Sequence, residues 1–391
     1  MVEKKDGDVH PPDPGDLSAL VRANTLFAGA LYSQVASSGS NAFFAPANMS
    51  AALAMTYTGA RGETAAQMAG VLRLPALAPA RLHAAFGALE ATLRDAPGVE
   101  LAVANALFGQ HDQYFVPDFL ELLAECYGAG LRLVDFETET ELARVTINGW
   151  VKEQTRGKIA DLFPRGILNN LTRLVLVSAV YFKGSWDSPF KEAATKEAPF
   201  FRLDGGSVPV PLMVQSNRCK LVRLEDALAL ELPYEGDAIS MVVILPKTKD
   251  GLPAIEKRLP LDLIGWLDRF DAPWQDLVEV YLPRFRVEMG LDLKNPLENL
   301  GMPHAFDQDL ADFSGMTGQA DLCIKAAVHR AFVEVNEEGT TAAAATAVVM
   351  GARAIPPEPT VFRADHPFLF LIRDTRTKAV LFLGRFLGPP A

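Results

Sequence analysis

The chain has 391 residues, 49% hydrophobic and 22% charged, which is enough to bury a large core and too apolar for a disordered chain. A formal net charge of −11 with no dense basic run argues against a general nucleic-acid binder, and no apolar stretch reaches the ~18–20 residues of a membrane span. Three scattered cysteines, Cys126, Cys219 and Cys323, argue against a disulfide scaffold or a Cys-x-x-Cys zinc site and read as small buried apolar residues.

Residues 1–16, MVEKKDGDVHPPDPGD, read as a flexible leader without the apolar core of a signal peptide. Either the protein stays inside the cell or a signal has been removed; an extracellular or periplasmic location is the first expectation and a cytoplasmic one the alternative. Asp16 is expected to cap a helix carrying Leu20, Asn24, Phe27 and Leu31 at helical spacing. Further helices are predicted over 50–57, from Glu63 onward, through Leu82, Phe86, Leu89 and Leu93, and after Pro117, where proline suits the first turn. Strands follow at 131–136 and 174–182, with an amphipathic helix over 141–154 between them. The 174–182 run, LVLVSAVYF, is almost continuously apolar, as in a strand covered on both faces. Later strands are predicted at 241–245, 277–282, 331–335, 368–372 and 379–386. Helices first and strands afterwards give an α+β class, and without repeats or a clean linker the unit over 17–391 reads as one large domain.

Enzymatic signatures are missing: there is no G-x-S-x-G, H-E-x-x-H, G-x-x-x-x-G-K-[ST] or G-x-G-x-x-G, and the six histidines lack metal-ligand spacing. Two N-x-[ST] sequons, at Asn48 and Asn170, are too short a pattern to carry weight. What stands out is the stretch EEGTTAAAATAVVMGARAIPP over 337–357. Its alanines favour helix, while its β-branched residues favour strand. As a strand it would place Thr340, Ala342, Ala344, Thr346, Val348 and Met350 on one face and Thr341, Ala343, Ala345, Ala347 and Val349 on the other. Neither face carries a charge, so the segment could be buried without stranding an ion. On its own it reads equally as an alanine-rich surface loop.

Ordered fragments along the chain decide between these. NTLFA at 24–28, NAFFAP at 41–46, GARGET at 59–64, INGWVKEQTRGKI at 147–159, VYFKGSW at 180–186, ELPY at 231–234, VHRA at 328–331, HPFLF at 366–370 and FLGRF at 382–386 resemble the serpins in the expected order, over roughly 17–388. The resemblance is to an inhibitory, single-domain, prokaryotic-like serpin. It implies helices packed on a main sheet with two further sheets and an exposed reactive-centre loop at about 337–360. The hinge would be Glu337, Glu338, Gly339, Thr340, Thr341, Ala342, Ala343, Ala344 and Ala345.

Spacing from that hinge, and the exit IPPEP at 355–359, set the reactive bond at Arg353–Ala354 and imply a trypsin-like serine protease as partner. A shift of one to three residues to Met350 would suit a chymotrypsin- or elastase-like enzyme. The resemblance also implies a sheet-opening region at Ala45, Asn48, Ser178 and His329, with Trp186 where the loop joins the sheet. Asparagine and serine have exchanged places relative to the family; a shared hydrogen-bond network is one reading, and a satisfied core histidine at His329 the other. The stretch matching the polyanion-binding helix of some serpins, 80–94, has only Arg81 and Arg94 as full positive charges, so strong polyanion activation is not expected. No cofactor, metal, nucleic acid or membrane is implied, and a monomer is expected. A non-inhibitory serpin acting as carrier or chaperone is the alternative; an unrecognised hydrolase is remote.

Overall fold

The computed structural model describes residues 13–36, 39–94, 96–128, 130–272, 275–340 and 359–390. In chain order its elements are α1 (Pro14–Val35), β1 (Ala42–Phe44), α2 (Pro46–Tyr57), α3 (Gly62–Val71), α4 (Pro79–Arg94), β2 (Val99–Gln110), α5 (Pro117–Tyr127), β3 (Leu131–Val134), α6 (Thr140–Gln154), β4 (Leu174–Ser185), β5 (Lys196–Phe201), β6 (Ser207–Arg223), β7 (Ala227–Pro233), β8 (Ile239–Pro246), α7 (Leu252–Asp268), β9 (Asp276–Pro283), β10 (Phe285–Asp292), α8 (Lys294–Leu300), α9 (Ser314–Thr317), β11 (Ala326–Val335), β12 (Gly339–Thr340), β13 (Thr360–Arg363), β14 (Phe368–Asp374) and β15 (Val380–Phe386).

The first helix starts before the expected cap. Asp13 is the N-cap, accepting the Gly15 N–H at 2.8 Å, and Pro14 opens the first turn. Asp16 instead takes two hydrogen bonds from Arg81 of α4, at 2.7 and 2.8 Å. The simple order of helices then strands is also broken by β2, whose 12 residues, VELAVANALFGQ, lie in the first third. Alanine and asparagine are poor strand formers, so local propensity hides this strand. Pairing with β4 along eleven residue pairs, from Val99↔Gly184 to Gly109↔Leu174, is what makes it one.

Among the described residues two sheets carry the fold, where a main sheet with two further sheets is expected, because the long β6 pairs with β7 on one side and with β5 and β9 on the other and so joins the two further sheets into one. A nine-stranded sheet runs β1-β15-β14-β8-β7-β6-β9-β13, with β5 on β6; a six-stranded sheet runs β10-β11-β4-β2-β3, with β12 on β4. In the middle of the smaller sheet β4 and β11 are parallel, paired from Ala326↔Val175 to Phe332↔Tyr181. The apolar run of β4 is explained by its two covered faces. Leu174, Leu176, Val180 and Phe182 point into the main core, and Val175, Val177 and Ala179 into a second core beneath Ala143, Ile147 and Val151 of α6.

Ionic groups inside the larger sheet are paired. Glu231 of β7 accepts from Arg373 of β14 at 2.7 and 2.9 Å and from the Ser240 hydroxyl at 2.7 Å, and all three are buried. Removing one member of such a pair strands the other charge, at a cost of about 3–5 kcal/mol. Arg373→Met is therefore expected to lower the thermal melting temperature by several degrees; an unchanged melting curve would mean that the pair contributes little.

Candidate functional site

Two linked features occupy the middle of the smaller sheet: the point where residues 337–340 enter its top, and a polar cluster halfway down the β4–β11 seam. At the top, β11 ends in a tight reversal. Asn336 N–H donates to Gly339 O at 2.9 Å, and Asn336 Oδ1 accepts the Glu338 and Gly339 N–H groups at 3.1 and 3.2 Å. The chain then runs back as β12, antiparallel to β4, with Gly339 opposite Ser185 and Thr340 opposite Gly184. Only glycine suits position 339. Its φ is +145°, and a Cβ would overlap the Gly184 carbonyl oxygen.

Side chains fix this reversal. Glu337 is buried; its carboxylate accepts from Arg284 Nη2 at 2.6 Å and Nε at 3.1 Å and from the Thr195 hydroxyl at 2.6 Å. Burial pushes its carboxyl up, but the hydrogen bonds from Arg284 and Thr195 outweigh burial and hold it below the usual range. Trp186 stacks on Tyr234 with ring centroids 4.6 Å apart, donates from Nε1 to Asn336 O at 3.0 Å, and donates its backbone N–H to Glu338 O at 2.9 Å. Thr340 is buried, and its hydroxyl lies 2.9 Å from the Tyr234 hydroxyl. Burial raises the Tyr234 phenol far above its ordinary value, so it stays a neutral hydrogen-bonding group. Thr341, Ala342, Ala343, Ala344, Ala345, Met350, Arg353 and Ala354 lie outside the described residues.

Lower down, Asn48, Ser178 and His329 come together. Asn48 Nδ2 donates to Ser178 Oγ at 3.0 Å, and Ser178 Oγ lies 3.0 Å from His329 Nδ1. His329 Nε2 accepts the backbone N–H of Ala45 at 3.1 Å. Since a backbone N–H can only donate, the neutral imidazole carries its proton on Nδ1 and gives it to Ser178. Ser178 and His329 face each other across the seam in register, so this bond crosses between β4 and β11. Sequence reasoning missed Asn105 of β2, which donates to Asn48 O at 3.2 Å and Oδ1 at 2.9 Å. It also missed Arg284, Thr195 and the role of Tyr234, whose positions are set by partners far away in sequence.

Burial lowers the pKa of His329 to about 3 and that of His83, hydrogen-bonded to the Tyr127 hydroxyl at 2.6 Å, to about 4. In the unfolded chain both titrate near ~6.5. As pH falls below that value the unfolded chain takes up protons that the folded one refuses. Stability is therefore fully present above about pH 6.5 and declines as pH drops, until His83 protonates in place near 4 and His329 near 3, by up to ~1.4 kcal/mol per pH unit for each histidine. The unfolding midpoint in urea is expected to fall between pH 7.5 and 5. His329→Gln should start lower, because Ser178 and Ala45 N–H lose a partner, and show a shallower pH dependence. Parallel profiles for the two proteins would rule out His329 as a source of the slope.

Comparison with known proteins accords with this geometry. A family model described as Serpin (serine protease inhibitor) matches residues 22–389. The chain is 40% identical over 383 residues to the leukocyte elastase inhibitor of Homo sapiens, covering 95% of this chain and 100% of that protein. It is 38% identical to antithrombin-III of Mus musculus, over 95% of this chain and 82% of that one. Its fold superposes on uncleaved ovalbumin with a TM-score of 0.84 at 29% identity, covering 95% of this chain and all of that one. These relatives give the prokaryotic-like expectation no support. A match along nearly the whole chain, on a fold whose central sheet already holds the first residues of an alanine-rich segment, makes the protein a member of the serpin family of serine protease inhibitors, and not an enzyme.

Proposed function

We propose that the protein is a single-use suicide substrate for a serine protease, cleaved at Arg353–Ala354, whose loop then enters the smaller sheet between β4 and β11. The observation that carries this reading is β12. Two residues of the segment already pair with β4, antiparallel and in a defined register. Continued residue by residue, that register sets position 350 opposite Leu174 at the far end of β4, so residues 339–350 match the 12 residues of β4. It also sets Thr346 opposite Ser178, offering a hydroxyl where the Ser178–His329 bond would be broken. Thr340 points into the core, so Ala342, Ala344 and Thr346 would follow it there, and small uncharged side chains can enter without stranding an ion.

In this mechanism the protease serine attacks the Arg353 carbonyl and forms an acyl-enzyme. Insertion then moves the attached protease roughly 45–50 Å, the extended length of residues 340–353. Distortion of its oxyanion hole would slow deacylation. About a dozen new backbone pairings, each worth ~1 kcal/mol net, outweigh the β4–β11 pairs that must part. The uncleaved form is then a kinetic trap.

Arg353 suits a trypsin-like specificity pocket carrying a carboxylate. A second reading, an elastase- or chymotrypsin-like target met through Met350, is favoured by the elastase inhibitors among the relatives. Arg81 and Arg94 of α4 are already engaged, with Asp16 and Glu90, which supports action without a polyanion. Cys126, Cys219 and Cys323 are all free thiols, as a reducing compartment maintains, so we favour the cytoplasmic alternative over the extracellular or periplasmic expectation.

Incubation with trypsin, chymotrypsin and elastase is expected to give a denaturant-resistant covalent complex with trypsin. Arg353→Glu should abolish that complex and leave the melting temperature nearly unchanged. A complex with elastase alone would replace the trypsin-like reading, and none with any of the three would favour a carrier or chaperone.

Thr340→Arg replaces a buried hydroxyl bonded to Tyr234 with a charge. Each ~1.4 kcal/mol added to the insertion barrier slows that step tenfold. The variant should still be cut at Arg353–Ala354, yet release active protease, and its cleaved form should gain far less heat resistance than cleaved wild type. Trapping as efficient as wild type would sink the insertion reading.

A further inference from the structure

The Ser178–His329 bond closes the β4–β11 seam on the face turned to the main core, and two rings close the other face. Side chains alternate along a strand, so Tyr181 faces the same way as Val175, Val177 and Ala179, toward the α6 side of the sheet. There it is buried with Ala102 of β2 and Phe332 of β11 in a small cluster of its own. Tyr181 and Phe332 stand opposite each other in register, and theirs is the uppermost β4–β11 pair among the described residues. The rings stack at 15° with centroids 6.4 Å apart, close to the ~7 Å limit for an aromatic pair. A cation covers each ring: Lys158 Nζ lies 5.4 Å from the Tyr181 centroid, and Arg286 Cζ 4.7 Å from that of Phe332. The segment after α6 crosses the same seam. Arg156 pairs with Glu100 of β2 at 2.8 Å, and Asp161 O accepts from Arg330 of β11 at 2.6 Å.

We propose that the stacked Tyr181–Phe332 pair is the latch of the seam, the side-chain contact that parts first when a strand enters and that sets how often the uncleaved sheet opens. β12 ends on β4 opposite Gly184, three residues above Tyr181, so a strand growing from it reaches this pair before the Ser178–His329 bond. Neighbouring strands lie ~4.8 Å apart, so a strand placed between β4 and β11 sets them roughly 10 Å apart, beyond ring contact. The stack is therefore a contact that only the closed sheet possesses, and its loss is part of the barrier to insertion. An aromatic pair adds enough beyond its buried area to shift an equilibrium roughly three- to tenfold. That is weak enough to yield to a dozen new backbone pairings and strong enough to set their timing. The part played in insertion rests on the inhibitory reading above; opening of the closed sheet does not, and is measured separately.

The test compares Tyr181→Leu, Phe332→Leu and the double variant with wild type, as full chains. Hydrogen exchange of the uncleaved proteins, read by mass spectrometry over peptides from β4 and β11, reports seam opening without any protease. Each single variant is expected to exchange about tenfold faster there, and to change clearly less in β14 and β15 of the larger sheet. The double variant should be little faster than either single one, since the first substitution already breaks the stack. Cleavage of the loop by catalytic amounts of papain then reports insertion. Melting temperatures of the uncleaved variants should fall, while those of the cleaved forms stay near cleaved wild type, because the opened sheet no longer contains the stack. A pair that only packs the core would speed exchange equally in both sheets and lower both melting temperatures alike. Either pattern, seam exchange within twofold of wild type, or additive effects in the double variant would overturn the proposal. Wild type that gains no heat resistance on cleavage would instead sink the insertion reading, and the exchange rates would still decide whether the pair governs opening.

Discussion

The seam between β4 and β11 is the constraint on which the rest depends. These two strands are parallel neighbours at the centre of a sheet, where both faces are covered and each backbone group needs a partner. Above the seam β12 already separates them at the top; along it they pair directly. The strand insertion proposed above would start at this point, because β12 already occupies the place beside β4 that β11 takes lower down. The cores on either side differ accordingly. The main core meets the seam through Leu176, Val180 and Phe182, and the smaller core lies between the sheet and α6.

Polar groups set how firmly the seam is closed. Ser178 and His329 bridge it with a hydrogen bond in a fully buried setting, where electrostatic interactions strengthen and unpaired groups become expensive. Asn48 and Asn105 anchor Ser178 to the helix beneath and to the next strand. Asn48 and Ser178 belong to one connected network, with the amide reaching from α2 to a hydroxyl on β4. Neutrality of His329 is part of the design. A charged imidazole would have no counter-ion there among the described residues and could not accept the Ala45 N–H.

The hinge is held by a different kind of contact. Arg284 and Glu337 form a two-point ion pair with one member buried, so it also fixes the direction in which the chain leaves β11. Trp186 closes the same corner from the other side through stacking on Tyr234 and two hydrogen bonds to the hinge backbone. Tyr234 thus touches Trp186 through its ring and Thr340 of β12 through its hydroxyl. The carboxylate pair locks the turn, and the aromatic pair shapes the slot beside it.

Sequence alone determined the class and much of the architecture. The apolar run of β4, the helical spacing of α4 and α6, and the small, uncharged character of residues 340–350 are periodic or compositional, and such signals survive without tertiary context. The ordered motifs added the family and pointed to Asn48, Ser178, His329 and Trp186. Other features were decided only by the folded chain. The strand β2 is made by its neighbour rather than by its residues, and the 17-residue β6 serves three partners, β5, β9 and β7, which no local propensity specifies. Arg284, Thr195 and Tyr234 reach residues 337–340 from 53 to 142 positions away. Asn105 joins its cluster from a strand that the sequence did not reveal, and Trp150 meets Arg132 across two elements. The physical reason is common to all of these. Periodicity records which side of an element is buried, but a partner across a sheet or a cavity is chosen by where the chain returns, and that is a property of the closed fold.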